Sequence, residues 1–180
     1  MASECHTLSV LVDNKPGVLA RISTMFARRG FNIDSLAVGE TEDPRVSRMT
    51  IAVLAEGSPV EQIVKQLHKV INVLRIDELP HDNTVERELA LIKVKVEPGR
   101  RSEVIETAEI FRGKVVDMDP EALVIEVTGA PEKITAFEEL MRPYEILEMA
   151  RTGRVALSRG AAGLKAPAIR PVPIQDLTAS

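Results

Sequence analysis

Cys5 is the single cysteine in the chain of 180 residues, so no disulfide can form within it and a thiolate-rich metal centre is excluded. Histidine is almost as scarce: His6, His68 and His81 read as strand, helix and loop positions, none with an acidic motif at ligand spacing, and the chain beyond Asp82 holds neither His nor Cys. An imidazole or thiolate metal site in that half is therefore excluded. Tryptophan is absent and aromatics make up only 3%, which leaves few platforms on which bases could stack. There is no basic excess either. With 27 acidic against 23 basic residues, the net charge is -4, and no field exists to hold a nucleic acid backbone. No apolar run approaches the roughly 20 residues that span a bilayer. Met1 to Cys5 leads straight into strand residues, with no charged region running into a long apolar one, so the expected location is cytoplasmic. Gly-rich phosphate motifs are missing, as is any pairing of a nucleophile with a base.

What is present is aliphatic. Hydrophobic residues reach 44%, enough for one medium core or two small ones built from Val, Ile, Leu, Met and Ala. The organising stretch runs from Leu8 to Asn32. Leu8, Val10 and Val12 alternate as in a strand, and Asp13-Asn14-Lys15-Pro16-Gly17 then turns the chain. Pro16 suits a first helical turn, Val18, Ile22, Met25 and Phe26 recur at helical spacing, and Gly30 after Arg28-Arg29 is a stop signal. The NH groups of Gly17, Val18 and Leu19 at that helix start would form a small anion site, with no side chain on Gly17 to obstruct a carboxylate. Taken by itself the loop reads first as a plain strand-to-helix turn, and what favours a site is Asn32. Asn32 opens the following strand, at the other end of the helix, so only a dimer could bring it to the loop of a second copy and close a pocket.

Beyond Asn32, Ile33, Leu36 and Val38 form a strand, Glu40 to Arg45 a polar turn, and Met49, Ile51 and Val53 the return strand. Ser58-Pro59-Val60-Glu61 carries a capping box opening a helix faced by Val60, Ile63, Val64, Leu67 and Ile71. A short strand from Val73 to Leu79 follows, and Pro80 to Asn83 breaks the chain. From Arg87 the same order starts again. Ala90, Ile92, Val94 and Val96 alternate; Val104, Ile105, Ala108 and Phe111 mark a helix that Gly113 stops; two strands flank Asp119-Pro120-Glu121; Ile134, Phe137 and Met141 face a second helix; and Ile146 to Ala150 closes the pattern. The fold class is α+β, with two ferredoxin-like βαββαβ modules. The expected division is residues 1–82, residues 83–157, and a basic Pro/Gly/Ala-rich tail at 158–180. Composition changes at Arg151: from there on the net charge is +4, leaving -8 on the rest, and disorder is expected beyond Gly160 unless a partner holds it.

The run Leu8-Ser9-Val10-Leu11-Val12-Asp13-Asn14-Lys15-Pro16-Gly17-Val18-Leu19 resembles the opening of an ACT domain, a small amino-acid-sensing module. Arg29 to Leu36, Ser47 to Ile51, Lys65 to Lys69, Val85 to Leu89 and Ile110 to Gly113 extend the likeness, in order, to the regulatory (small) subunits of acetohydroxyacid synthase, also called acetolactate synthase. The resemblance covers residues 7 to about 160. It implies that residues 1–82 form an ACT domain that binds effector and dimerises, and that the chain itself has no catalytic residues and no metal. It also implies a complex with a large catalytic subunit that carries thiamine diphosphate, FAD and magnesium. This chain would activate that partner and confer feedback inhibition by valine in branched-chain amino acid biosynthesis. By motif position, Asn14, Gly17, Val18 and Leu19 match the family's effector loop, and Asn32 and Ile33 match the wall that faces it across a homodimer. The alternative reading is a stand-alone ACT-type sensor acting on another enzyme or on a transcription factor.

Overall fold

A computed structural model describes residues 4–55 and 59–161. Strand β1 (Glu4–Asp13) sends Leu8, Val10 and Val12 into a core and turns Thr7, Ser9 and Leu11 the other way. It pairs with β3 (Val46–Ala55) on one side and β4 (Val73–Leu79) on the other, and β2 (Ile33–Glu40) lies outside β3, giving the antiparallel order β2-β3-β1-β4. Register sets Leu8 opposite Ile51 and Val10 opposite Met49, so the apolar sets of neighbouring strands fall on one face. Helices α1 (Val18–Arg28) and α2 (Pro59–Leu67) cover that face with Val18, Ile22, Phe26, Val60, Ile63 and Leu67. Each large side chain so buried contributes about 1.5–3 kcal/mol.

The second half repeats this. β5 (Thr84–Lys95), α3 (Arg101–Ile110), β6 (Lys114–Met118), β7 (Ala122–Gly129), α4 (Pro131–Met141) and β8 (Ile146–Arg151) follow in order. The sheet order β6-β7-β5-β8 matches the first sheet strand for strand, so both halves are ferredoxin-like modules. A second core forms from β5, β7, α3 and α4, with Phe137 tilted against Phe111 at 5.3 Å between ring centres.

Several local expectations change. α1 begins at Val18 rather than Pro16, because Gly17 sits at φ +82, a left-handed conformation that no helix interior accepts. Ile71 is 89% exposed, since α2 ends at Leu67 and the chain then leaves the helix axis. The left-handed residue after α3 is Arg112, not Gly113. Gly113 serves close approach instead: a Cβ there would lie 3.1 Å from the Glu126 carbonyl oxygen and 3.2 Å from that of Ala108, so one of the two backbones would have to give by a few tenths of an ångström. β5 starts at Thr84, three residues before Arg87, where the order was expected to start again. The Ser58 cap lies outside the described residues, as does nearly all of the stretch expected to be disordered.

One strand went unread. β9 (Val155–Ser158) pairs with the first part of β5, Thr84 opposite Ser158 and Arg87 opposite Val155, while β8 takes the part from Ala90 to Val94. This β5–β9 ribbon crosses the back of the first sheet and touches β1 and β4. Thr7, Ser9 and Thr50, polar residues on that back face, are buried, and the Thr7 hydroxyl donates to Glu86 at 2.6 Å. Arg151 Nε donates to buried Glu88 at 3.1 Å, and Arg154 pairs with Glu86 at 3.5 Å and with Glu88 at 3.9 Å. The Arg154 NH reaches Ser35 of β2 at 3.3 Å. Gly153, at φ +74, permits this approach, because a Cβ would lie 3.3 Å from that of Ser35.

Candidate functional site

The loop between β1 and α1 is held from three sides. On one, the Asp13 NH donates to the Asn72 carbonyl at 2.9 Å, Asn72 Nδ2 donates to Asp13 Oδ2 at 3.0 Å, and Arg21 of α1 donates to Asn72 Oδ1 at 2.7 Å. Lys15 Nζ pairs with the same Asp13 oxygen at 3.3 Å. On the second side, the Asn14 NH donates to the Arg45 carbonyl at 2.7 Å, and Asn14 Nδ2 donates to Glu40 Oε1 at 3.0 Å and to the Pro44 carbonyl at 2.9 Å. The third is the helix itself, whose first turn closes with the Arg21 NH on the Gly17 carbonyl at 3.0 Å.

The β2–β3 turn that supplies those acceptors is itself braced. Asp43 takes two oxygens' worth of bonds from the Arg45 side chain, at 2.9 and 2.6 Å, and one from the Arg45 NH at 3.0 Å. The Arg45 guanidinium and NH together hold the Asp43 carboxyl down at about 2. The carbonyls of Pro44 and Arg45 therefore sit in a turn that carries hydrogen bonds of its own.

Gly17 is the open point, with nothing within 4 Å of where its Cβ would stand. An anion can approach the positive end of α1 there. Of the three NH groups expected to be available, that of Val18 is partly engaged, donating to the Lys15 carbonyl at 3.4 Å. The Val18 side chain is buried in the first core, so only its backbone faces the loop, whereas Leu19 is 43% exposed. Asn32 is exposed just before β2, and Ile33 packs half-buried against the first core. The eleven residues of α1 rise about 16 Å, which separates Asn32 and Ile33 from the loop within one chain. Sequence reasoning missed Glu40, Pro44, Arg45, Asn72 and Arg21 as partners of the loop.

Elsewhere the chemistry is sparse. His6 bonds Glu78 at 2.9 Å, His68 and His81 are exposed, and burial pushes the Cys5 thiol up, away from a reactive thiolate. Among the described residues no group of three or more His, Cys, Asp or Glu side chains could hold a metal ion, and no helix is long and apolar enough to cross a membrane.

Comparison with known proteins places these features. The family model described as the AHAS small subunit-like ACT domain matches residues 8–75, and that described as the small subunit of acetolactate synthase matches residues 87–160. The acetolactate synthase small subunit of Mycolicibacterium smegmatis is 57% identical over 161 residues, covering 89% of this chain and 95% of that one. That of Mycobacterium bovis is 54% identical over 164 residues, covering 91% and 98%. The crystal structure of the small subunit from Thermotoga maritima superposes with a TM-score of 0.83 at 43% identity, covering 88% of this chain and 99% of its own. With a topology, two domain matches and full-length relatives in agreement, the chain belongs to the acetolactate synthase small-subunit family, regulatory rather than catalytic subunits, and its first module is an ACT domain.

Proposed function

We propose that this chain binds valine on the Asp13–Leu19 loop, activates the large catalytic subunit of acetolactate synthase and makes that enzyme sensitive to valine. The observation that carries this reading is the loop: an unobstructed Gly17 at a helix start, beside an asparagine whose amide nitrogen is already fully engaged. A carboxylate would sit on the NH groups of Gly17 and Leu19, and an ammonium on Asn14 Oδ1. β2 is an edge strand of its sheet, so a second copy can pair along it and bring its Asn32 and Ile33 to the loop. Asn32 would then take a second ammonium hydrogen, and Ile33 with Leu19 would receive the branched side chain. Thiamine diphosphate, FAD and magnesium would be held by the large subunit. Reconstitution tests this: acetolactate formation by the large subunit should rise when this chain is added and fall again with valine. Activation that valine does not reverse would remove the effector reading, and no activation would remove the partnership.

A further inference from the structure

Glu40 ends β2, far along the chain from the loop, yet it and Pro44 dictate which way the Asn14 amide faces. A carboxylate and a carbonyl can only accept hydrogen bonds, so the group 3.0 Å from Glu40 Oε1 and 2.9 Å from the Pro44 oxygen must be the NH2, and both its hydrogens are spent there. Turning the amide over would set Oδ1 against two acceptor oxygens and forfeit both bonds. The Asn14 side chain therefore has one polar atom left over, Oδ1, and it is an acceptor. Of the two clamps, Pro44 contributes through a backbone oxygen in the turn that the Asp43–Arg45 fork spans, whereas Glu40 contributes through a side chain that substitution can remove.

We propose that Glu40 is a positioning residue for effector recognition: by holding the Asn14 NH2, it keeps Oδ1 free for the α-ammonium, so that the site selects an amino acid rather than any carboxylate. This rests on the reading of the loop as the valine site. Glu40 acts through Asn14 and through its acceptor oxygen, not through its charge, and each of these statements separates it from a residue that merely stiffens the turn.

The test is valine titration calorimetry on the full chain and on four variants. Glu40→Ala should weaken valine about fivefold to tenfold, and Glu40→Gln, which keeps the acceptor and loses the charge, should stay within about twofold of the parent chain. In an Asn14→Ala background, Glu40→Ala should cost nothing more, since its only route to the ligand is gone. Melting temperatures without valine should stay within roughly 5 °C across the set, the loss of one or two exposed hydrogen bonds. An unchanged affinity in Glu40→Ala, a Gln variant as weak as Ala, or full additivity of the two alanine substitutions would each overturn the proposal while the loop reading stands. A parent chain that does not bind valine would overturn both.

Discussion

Gly17→Asp is the most exacting perturbation of the loop. Nothing lies within 4 Å of the new Cβ, so no clash arises, and the structural cost comes from holding a side chain at φ +82. That conformation costs an L-residue about 1–2 kcal/mol, less for Asp than for most. The new carboxylate also sits at the positive end of α1, which returns about 0.3–1 kcal/mol. The net loss is about 1 kcal/mol, or roughly 2–4 °C in Tm for a chain of this length. Against this small cost stands a complete loss of ligand response, because the added carboxylate occupies the place of the ligand's own and repels it. In the parent chain, valine at about 100 times its Kd should stabilise by about 2.7 kcal/mol, a Tm rise of roughly 5–10 °C. Thermal melts of both proteins with and without valine, run beside reconstituted activity, give the answer. The variant should melt slightly early, ignore valine in both assays and still activate the large subunit. A full valine-induced shift in the variant would refute the assignment of the carboxylate to this helix start, and a Tm loss beyond roughly 10 °C would refute the strain estimate.

Asn32→Ala should weaken valine by about 1–3 kcal/mol in calorimetry, the cost of an ammonium left partly unpaired, with no change in the unliganded Tm because the side chain is exposed. Glu88→Ala should lower Tm by roughly 4–12 °C, since it strips the buried partner from Arg151, leaving it Glu138 at 3.8 Å, and removes one of the two carboxylates that Arg154 faces; this corresponds to about 2–3 kcal/mol after allowing for the solvent that both guanidiniums reach. The Asp43 carboxyl should titrate at about 2 by NMR and return toward 3.8 in Arg45→Ala. Its folded value is depressed, so the brace on the β2–β3 turn is complete above pH 3.8 and is lost as pH falls through about 2.

Local pattern was enough for most elements. Leu8, Val10 and Val12 announce β1 by period two, Val18, Ile22 and Phe26 announce α1 by helical spacing, and both signals survive because each element buries one face in its own module. The failures share a cause. β9 has four residues, of which Ala156 alone is buried while Val155 and Leu157 are more than half exposed, so it lacks a pattern of its own and exists because β5 extends back to Thr84 to pair with it. Ile71 fits the helical stripe of α2 in spacing, but the helix stops a turn short of it. Arg112 and Gly113 exchange the roles that residue type suggested: Arg112 takes the positive φ, and Gly113 sits where a Cβ would stand only 3.1 Å from the Glu126 carbonyl of β7, closer than ordinary contact.

The candidate site shows the same division between near and far. Its loop was legible because strand end, turn and helix start are consecutive, but the groups that set its chemistry come from Glu40 and Pro44, 26 and 30 positions away. Only the ladder register, with Asp13 opposite Val46, brings that turn beside Asn14. The same strand that ends in Glu40 begins at Ile33 and meets Gly153 and Arg154 of the second module at Ser35. β2 is thus tied to the loop at one end and to the Glu86–Glu88–Arg154 cluster near the other. A rigid strand held at both places cannot shift at one without straining the other. For this reason, the Glu88→Ala and Glu40→Ala variants are best measured together: if the two ties act through β2, the loss of valine affinity in Glu40→Ala should be larger or smaller in the Glu88→Ala background, and strict additivity in calorimetry would show that the modules meet at β2 without communicating through it.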